Sequence, residues 1–214
     1  MAAPVIAQRK TSVRSAPSKK GQQTRARILD AGRQVLSDRG YFGATVGEIA
    51  ERSGLALGSI YRYFDNKDDL FLELLEELVE TLFTSVDGSW VKGREQESLR
   101  ESSRRYLSTY FSNRHLIAGL LEMSAAVPEC AERWWLLRQK TFTRKAEYVR
   151  RASGKDPLKP EYAAVALATM VEQLAFHWFV ESERHGGQAP DLEEAADTVS
   201  IIWYRALYAS GQES

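Results

Sequence analysis

From position 23 onward, the hydrophobic residues of the chain recur every three or four positions, which is the spacing of amphipathic helices. Ile28 and Val35 lie on one face of a first helix that ends at Gly40, a typical C-terminal stop. A second short helix begins at Thr45, because a threonine followed three residues later by Glu48 forms a capping box. The pattern predicts two helices in the first quarter of the chain.

A third short segment follows a tight turn at Gly54, and the most regular pattern comes directly after it. Across 67–86, leucine, phenylalanine and valine form two adjacent rows spaced four residues apart, behind an N-cap at Asn66. One helix of that length is roughly 30 Å long at about 1.5 Å per residue. We therefore predict a helix that connects two domains.

The remainder of the chain repeats the helical pattern without a β-type alternation. Pro128 begins one helical segment, an apolar segment covers 160–183, and a last helix runs from about Leu192 to Tyr208. The pattern predicts an all-α protein of eight or nine helices. The longest uncharged apolar run, 162–171, is too short to span a bilayer, so no membrane association is expected.

Charge is distributed unevenly along a chain whose formal net charge is zero. Residues 1–64 carry 11 Lys/Arg against 4 Asp/Glu, which leaves 18 against 25 of the total 29 and 29 for residues 65–214. A basic front suggests a module that binds a polyanion, and the alternative is a solvated asymmetry without a partner. We predict that residues 1–22 form a flexible basic tail, which raises non-specific DNA affinity or enters a minor groove.

Cellular location and redox state follow from two further features. The N-terminus has no long apolar core, so we expect no secretory signal. The single cysteine, Cys130, cannot form an internal disulfide, which suits a reducing compartment. The expected location is the cytoplasm.

The short helices around Gly54 have the layout of a helix-turn-helix. In that motif the first helix crosses the DNA backbone and the second lies in the major groove, so the turn is tight. A small residue, Ala50, is placed where the helices cross, and Gly54 is placed where the turn needs a positive φ. Ile60 and Tyr63 are predicted to face the core.

The stretch TRARILDAGRQVLSDRGYFGATVGEIAERSGLALGSIYRYFDNKDDLFLELL resembles the DNA-binding domain of the TetR/AcrR family of transcriptional regulators, over about residues 23–75. The resemblance implies an N-terminal three-helix helix-turn-helix DNA-binding domain at 23–66. It also implies a C-terminal helical ligand-binding and dimerisation domain at 67–214, with 67–86 as the connecting helix.

The resemblance also assigns residues to double-stranded DNA. A threonine at a helix start bonds phosphate, a glycine lets the backbone approach base edges, and tyrosine, arginine and lysine contact phosphate or bases. The predicted DNA-binding residues are Thr45, Leu57, Gly58, Ser59, Tyr61, Arg62 and Lys67. The neighbouring Tyr63 and Phe64 are assigned to the core instead.

A single small helix-turn-helix reads few base pairs, so such modules act as dimers on palindromic operators with half-sites roughly 34–36 Å apart. The resemblance implies a homodimer through the last two helices, whose apolar surface is larger than one core needs. The residues considered are Ala163, Ala166, Met170, Leu174, Phe179, Val199, Ile202, Trp203, Ala206 and Tyr208. The alternative is that all of these belong to an intramolecular core.

The C-terminal part holds all five tryptophans, and the resemblance implies a pocket there for a small hydrophobic effector. The predicted ligand-binding residues are Tyr106, Tyr110, Met123, Trp134, Phe142, Gln173 and His177. For each residue alone, a position in an ordinary packed core is the alternative.

Catalysis is not expected. The three histidines have no metal-ligand spacing with one another or with Cys130, and no glycine-rich phosphate loop is present, so we predict no metal, no cofactor and no enzyme. The predicted function is a ligand-responsive, dimeric transcriptional repressor. The alternatives are an activator and a small-molecule-binding helical protein with a vestigial DNA-binding domain.

Overall fold

The computed structural model describes residues 18–84, 91–152 and 159–208, and within these ranges the chain forms nine helices and no strand. In chain order the helices are α1 (Lys19–Gly43), α2 (Val46–Ser53), α3 (Leu57–Ile60), α4 (Lys67–Thr84), α5 (Glu95–Ser112), α6 (Arg114–Ala126), α7 (Pro128–Ala152), α8 (Pro160–Arg184) and α9 (Leu192–Tyr208). The all-α architecture predicted from the periodicity is confirmed.

Helix α1 begins earlier than the sequence pattern indicated. The hydroxyl of Ser18 accepts a hydrogen bond from the amide of Gly21 at 3.2 Å and caps the helix, so positions 19–22 are helical and the predicted tail is too long. The other tail positions, 1–17, lie outside the described residues. At the opposite end Gly40 has a φ of 65°, which interrupts the helix at the predicted stop.

The helix-turn-helix is packed as predicted. Ile49 of α2 and Ile60 of α3 are completely or almost completely buried, and Ala50 is buried between the helices. Gly54 ends α2 with a φ of 63°, and its amide bonds carbonyls of the last turn. Because only glycine adopts this backbone conformation without steric cost, the turn can be tight.

The capping box at the start of α2 is only half formed. The hydroxyl of Thr45 accepts a hydrogen bond from the amide of Glu48 at 3.2 Å, as predicted. The carboxylate of Glu48 does not return the bond; it pairs with Arg39 at 3.2 Å and with Arg52 at 2.9 Å. The ion pair with Arg39 links α2 to the end of α1.

Helix α4 connects the two parts of the molecule. Asn66 caps it through a 2.8 Å hydrogen bond from the amide of Asp69 to its side-chain oxygen, which confirms the predicted start. Its buried face, which includes Phe71 and Leu75, contacts α1 and three helices of the C-terminal domain. The predicted end of this helix, at Val86, lies outside the described residues.

A second junction joins the domains directly. Helix α6 packs along α1, and the closest approach is between Gly119 and Leu36. A Cβ atom on Gly119 would lie 2.8 Å from Cδ1 of Leu36, so the absence of a side chain permits the contact. The C-terminal helices therefore reach the N-terminal part, which holds the helix-turn-helix, through both α4 and α6.

Within the C-terminal domain, α5 packs along α9 and α7 packs along α8. Helix α8 contains a π-helical segment, His177–Glu181, whose Phe179 is buried. Among the described helices, α8 alone is long and apolar enough to cross a membrane, and 44% of its most apolar window is buried inside the fold. A buried core helix passes the same test of length and composition.

Candidate DNA-binding site

The recognition helix α3 divides its side chains between the core and solvent. Ile60 faces inward, whereas Leu57 and Tyr61, which are 47% and 48% exposed, lie one turn apart on the outer side. Phe64 is buried, as the sequence indicated, and Tyr63 packs against the core with partial exposure. The aromatic cluster therefore holds the helix with two rings and leaves one free.

Ser59 and Arg62 extend the outer surface of α3. A terminal guanidinium nitrogen of Arg62 lies 3.4 Å from the hydroxyl of Ser59, and within the described parts of the chain no carboxylate pairs with this arginine. Both side chains can bond phosphate or base edges, since neither is committed to a strong internal contact. The structure brings them together beside Tyr61.

Gly58 is exposed and helical, without a positive φ. A Cβ atom added at this position would meet no atom within 4 Å. The fold of the free chain therefore does not require glycine here. The predicted reason for a glycine at position 58 is the close approach of DNA to the backbone, which concerns the DNA-bound state only.

Thr45 is exposed at the start of α2, where its hydroxyl oxygen is used for capping. The hydroxyl hydrogen stays available to an external acceptor, in the position where a helix dipole attracts phosphate. Three residues earlier, Phe42 is 72% exposed, a feature that sequence analysis missed. The signal available in the sequence was an apolar residue directly after Gly40 and Tyr41.

Lys67 makes most of its hydrogen bonds within the protein. Its ammonium group donates to the carbonyl of Tyr41 at 2.9 Å and to that of Ala44 at 3.2 Å, and it lies 4.4 Å from the centre of the Tyr41 ring. Two of its three hydrogens therefore hold the loop before α2 in place. The predicted phosphate contact has one donor left.

Tyr41 connects the DNA-binding domain to two further helices. Its hydroxyl donates to the carboxylate of Asp68 on α4 at 3.0 Å, and its amide donates to that of Glu122 on α6 at 3.0 Å. Burial and the neighbouring Asp68 carboxylate raise the pKa of the Tyr41 phenol, so the hydroxyl stays a donor at neutral pH. The loop that precedes α2 is thus held from two sides.

Much of the basic charge counted in the sequence is neutralised by local pairing. The pairs are Arg25 with Glu73, Arg33 with Glu77, Arg39 with Glu48, and Arg52 with Asp38. Arg9, Lys10 and Arg14 of the predicted tail lie outside the described residues, whereas Lys19 and Lys20 lie in the first turn of α1. Because the paired arginines contribute little net field, Arg62 is the clearest free cation of the recognition face.

The predicted effector residues fall into two groups. Tyr106, Tyr110, Met123 and Phe142 are buried, and Trp134 packs partly buried against the core. Three clefts of about 260 to 690 Å³ lie on the described surface, and of the predicted set only Phe142 lines one of them. A preformed pocket bounded by the whole set is therefore not seen among these clefts.

Gln173 and His177, also predicted to bind the effector, are exposed on the outer side of α8. On α8 the inward positions include Val171 and Ala175, and two residues along a helix rotate a side chain by about 200° away from the core. His177 instead pairs along the surface with Glu181 at 3.1 Å. The polar group that faces the domain interior is Glu172, which pairs with Arg138 at 2.7 Å.

The residues considered for dimerisation fall into a buried group and a partly exposed group. Ala163, Phe179, Val199 and Trp203 are buried within their own domain, so they are not part of an exposed surface. Ala166, Met170, Leu174, Ile202, Ala206 and Tyr208 keep some exposure, and Tyr162, Val165 and Ile201 add to them. The outward sides of α8 and α9 therefore present a reduced but still apolar surface.

Cys130 is buried, and the pKa of its thiol rises to about 11 through burial and the nearby carboxylates of Asp68 and Glu129. A thiol with so high a pKa is a poor nucleophile and metal ligand at neutral pH. Across residues 18–84, 91–152 and 159–208, no group of three or more His, Cys, Asp or Glu side chains is placed to hold a metal ion.

Three comparisons with known proteins bear on this surface. Residues 28–74 match the family model described as bacterial regulatory proteins, tetR family. The fatty acid metabolism regulator protein of Bacillus subtilis is 32% identical over 92 residues, which cover 43% of this chain and 44% of that protein. The regulator EthR of Mycobacterium tuberculosis is 26% identical over 202 residues, or 90% of each chain.

The fold resembles that of solved transcriptional regulators. A transcriptional regulator from Rhodococcus sp. Rha1 superposes with a TM-score of 0.70 at 22% identity, over 85% of this chain and 96% of that one. The chain covers less than half the length of the first curated relatives. Residues 28–74, which hold the helix-turn-helix, are therefore similar to bacterial regulatory proteins of the tetR family.

Proposed function

We propose that this TetR-family DNA-binding regulator is a repressor, which binds a palindromic operator as a homodimer and is released by a small hydrophobic effector. One observation carries the DNA-binding part: Leu57, Tyr61 and Arg62 point outward from a helix whose opposite side is locked in the core. Helix-turn-helix proteins read the major groove with such a surface. Thr45 and Gly58 would contribute a phosphate contact and a close backbone approach.

Dimerisation would use the outward sides of α8 and α9. Tyr162 is 71% exposed, and Val165, Ile201 and Ile202 are exposed in the same two helices. Exposed apolar patches of this kind mark protein interfaces, and a twofold axis would pair the helices with their own copies. Two copies would place two recognition helices on successive major grooves.

Release by an effector would be a shift between two domain arrangements. Helix α4 carries the Asp68 contact to Tyr41, and helix α6 carries the Glu122 contact to the same residue. A ligand that moves α4 or α6 therefore pulls on the loop that precedes α2. In the arrangement that the ligand stabilises, the two recognition helices no longer match the operator. The free energy of operator binding then becomes less favourable by the coupling free energy between the two sites.

The effector domain supports an apolar ligand through its buried aromatic residues, Tyr106, Tyr110 and Phe142. One relative is named as a fatty acid metabolism regulator, which fits a ligand of that character. The expected location is the cytoplasm, where the operator is found.

The test is fluorescence anisotropy of the purified full chain with the DNA upstream of its own gene, titrated with salt against scrambled DNA. The double variant Tyr61→Ala/Arg62→Ala is compared with Arg144→Ala, an exposed arginine of α7. We expect sequence-dependent binding that only the double variant loses. Equal binding to both DNAs by all variants would instead support the alternative, a ligand-binding protein with a vestigial DNA-binding domain.

A further inference from the structure

Helix α7 places two basic side chains along its interior side, Arg138 and, two turns later, Lys145. Arg138 is paired with Glu172 at 2.7 Å. Lys145 forms no ion pair within the described ranges; its ammonium lies 5.7 Å from the ring centre of Tyr106 and 5.9 Å from that of Trp203. An ammonium over two aromatic rings, without a carboxylate partner, keeps an uncompensated charge.

Hydrogen-bond donors without acceptors surround the same position. Trp203 is 8% exposed, and its indole nitrogen is buried without a partner. The inner guanidinium nitrogen of Arg138 is buried and unpartnered in the same way. A buried donor that lacks an acceptor costs free energy, and native structures leave few of them. The cluster formed by Tyr106, Arg138, Lys145, Glu172 and Trp203 therefore has more donors than acceptors.

The charges of this cluster do not cancel. Arg138 and Glu172 neutralise each other, which leaves the ammonium of Lys145 as a net positive charge. Burial lowers the pKa of Lys145, while the more distant Glu172 acts in the opposite direction. Tyr106 cannot serve as the missing anion, because burial, and then the Glu172 charge, raise the pKa of its phenol well above the ordinary value.

We infer that the cluster binds the carboxylate of an amphipathic effector, with the ammonium of Lys145 and the indole N–H of Trp203 as the two donors. The inference deepens the proposed function, on which it rests, because it names the chemical class of the ligand. A single carboxylate supplies one negative charge and several acceptor positions, which are what the cluster lacks.

Phe142 connects this interior cluster to the surface. Its ring lies 5.3 Å from the guanidinium carbon of Arg138, and the residue also lines a cleft of about 690 Å³ beside α7 and α8. Phe142 therefore borders both the cleft and Arg138 of the cluster. An elongated ligand could enter head first, which leaves its tail near the cleft.

The inference is tested by calorimetric titration of the full chain with decanoate, decan-1-ol and decyltrimethylammonium. Decanoate should bind the wild type most tightly, and Lys145→Gln should weaken decanoate at least about tenfold while leaving the alcohol unchanged. Lys140→Gln, an exposed lysine of the same helix, is the matched control and should behave as the wild type. Equal weakening of acid and alcohol, or none for decanoate, would overturn the inference.

A second variant covers the case in which Lys145→Gln does not fold. Trp203→Phe keeps a ring in place and removes only the indole donor, so it should weaken decanoate about three- to tenfold without affecting the alcohol. Binding to upstream DNA is measured for each variant in the absence of ligand. Retained DNA binding with unchanged decanoate affinity would overturn the ligand assignment alone, whereas absent DNA binding in the wild type would overturn the proposed function.

Discussion

The carboxylate of Glu122, on α6, accepts a hydrogen bond at 3.0 Å from the backbone amide of Tyr41, at the end of α1. The same carboxylate lies 2.5 Å from the position that a Cβ atom on Gly40 would occupy, so the turn accommodates it only because residue 40 is glycine. Arg184 of α8 approaches the other carboxylate oxygen at 3.2 Å. The Glu122 side chain, on α6, therefore contacts both the end of α1 and Arg184 of α8.

The first prediction concerns this contact. Glu122→Ala should lower the free energy of unfolding by about 1–3 kcal/mol, because it leaves the partly buried amide of Tyr41 without its acceptor. Glu122→Gln keeps an oxygen acceptor and should lose less. Urea denaturation of the two variants measures the difference. An alanine variant as stable as the wild type would show that solvent replaces the contact without cost.

The second prediction separates folding from binding at Gly58. Because a Cβ atom there meets nothing, Gly58→Ala should leave the fold intact and raise the free energy of unfolding by up to about 0.5–1 kcal/mol through better helix propensity. Operator affinity should nevertheless fall, since the added methyl group faces the DNA. Thermal unfolding and anisotropy on one preparation test both parts. Undiminished affinity would remove Gly58 from the interface.

The third prediction concerns the free cation of the recognition face. If Arg62 neutralises one phosphate, Arg62→Ala should reduce the slope of log affinity against log salt by about one. Arg144→Ala removes an equally exposed arginine far along the chain and should leave the slope unchanged. Anisotropy titrations at several salt concentrations supply both slopes. Identical slopes for the two variants would contradict a phosphate contact.

The fourth prediction concerns the apolar surface of α8 and α9. Ile202→Asp places a charge in the proposed interface, so it should convert a dimer to a monomer and weaken operator binding strongly. Val91→Asp makes a similar change at an exposed position outside these helices and should leave the dimer intact. Sedimentation velocity gives the mass of each variant. A wild type that is already monomeric would rule out this assembly.

The fifth prediction follows from the raised pKa of Cys130. Folding moves this pKa from 9.0 to about 11, so above pH 9 the unfolded thiol ionises before the folded one. The stabilisation is complete below pH 9 and is lost progressively between pH 9 and about 11. The stability difference between the wild type and Cys130→Ala should shrink over that range, and a constant difference would contradict it. Ellman's reagent should label the native thiol slowly at pH 8.

Local signals in the sequence predicted most helix boundaries and the DNA-binding motif correctly. The N-cap at Asn66, the stop at Gly40 and the turn at Gly54 were each indicated by one or two adjacent residues. Such features depend on backbone preferences and on side chains that bond nearby amides, so they can be read without knowing the fold. The cap at Ser18, which the sequence analysis missed, is also a local hydrogen bond. It was not recognised because lysines and a glycine follow it in place of a periodic apolar pattern.

Only the tertiary structure decided which side chains are exposed and available for contacts outside the chain. Lys67 was predicted to contact phosphate, and the folded chain uses two of its donors on the loop before α2. Gln173 and His177 interrupt an apolar helix in the sequence, but they lie on its outer side. Exposure depends on which neighbouring helix covers which side, and that information is spread over residues far apart in the chain.

By itself, then, the sequence determined the all-α class, the helix-turn-helix and the outward position of Tyr61 and Arg62, because short-range periodicity and capping specify them. The tertiary structure decided the pairing of the basic front, the contact from Tyr41 to Glu122 and the unpaired position of Lys145. Those features arise where helices distant in sequence meet, and the charges and donors left unpartnered there are known only after packing.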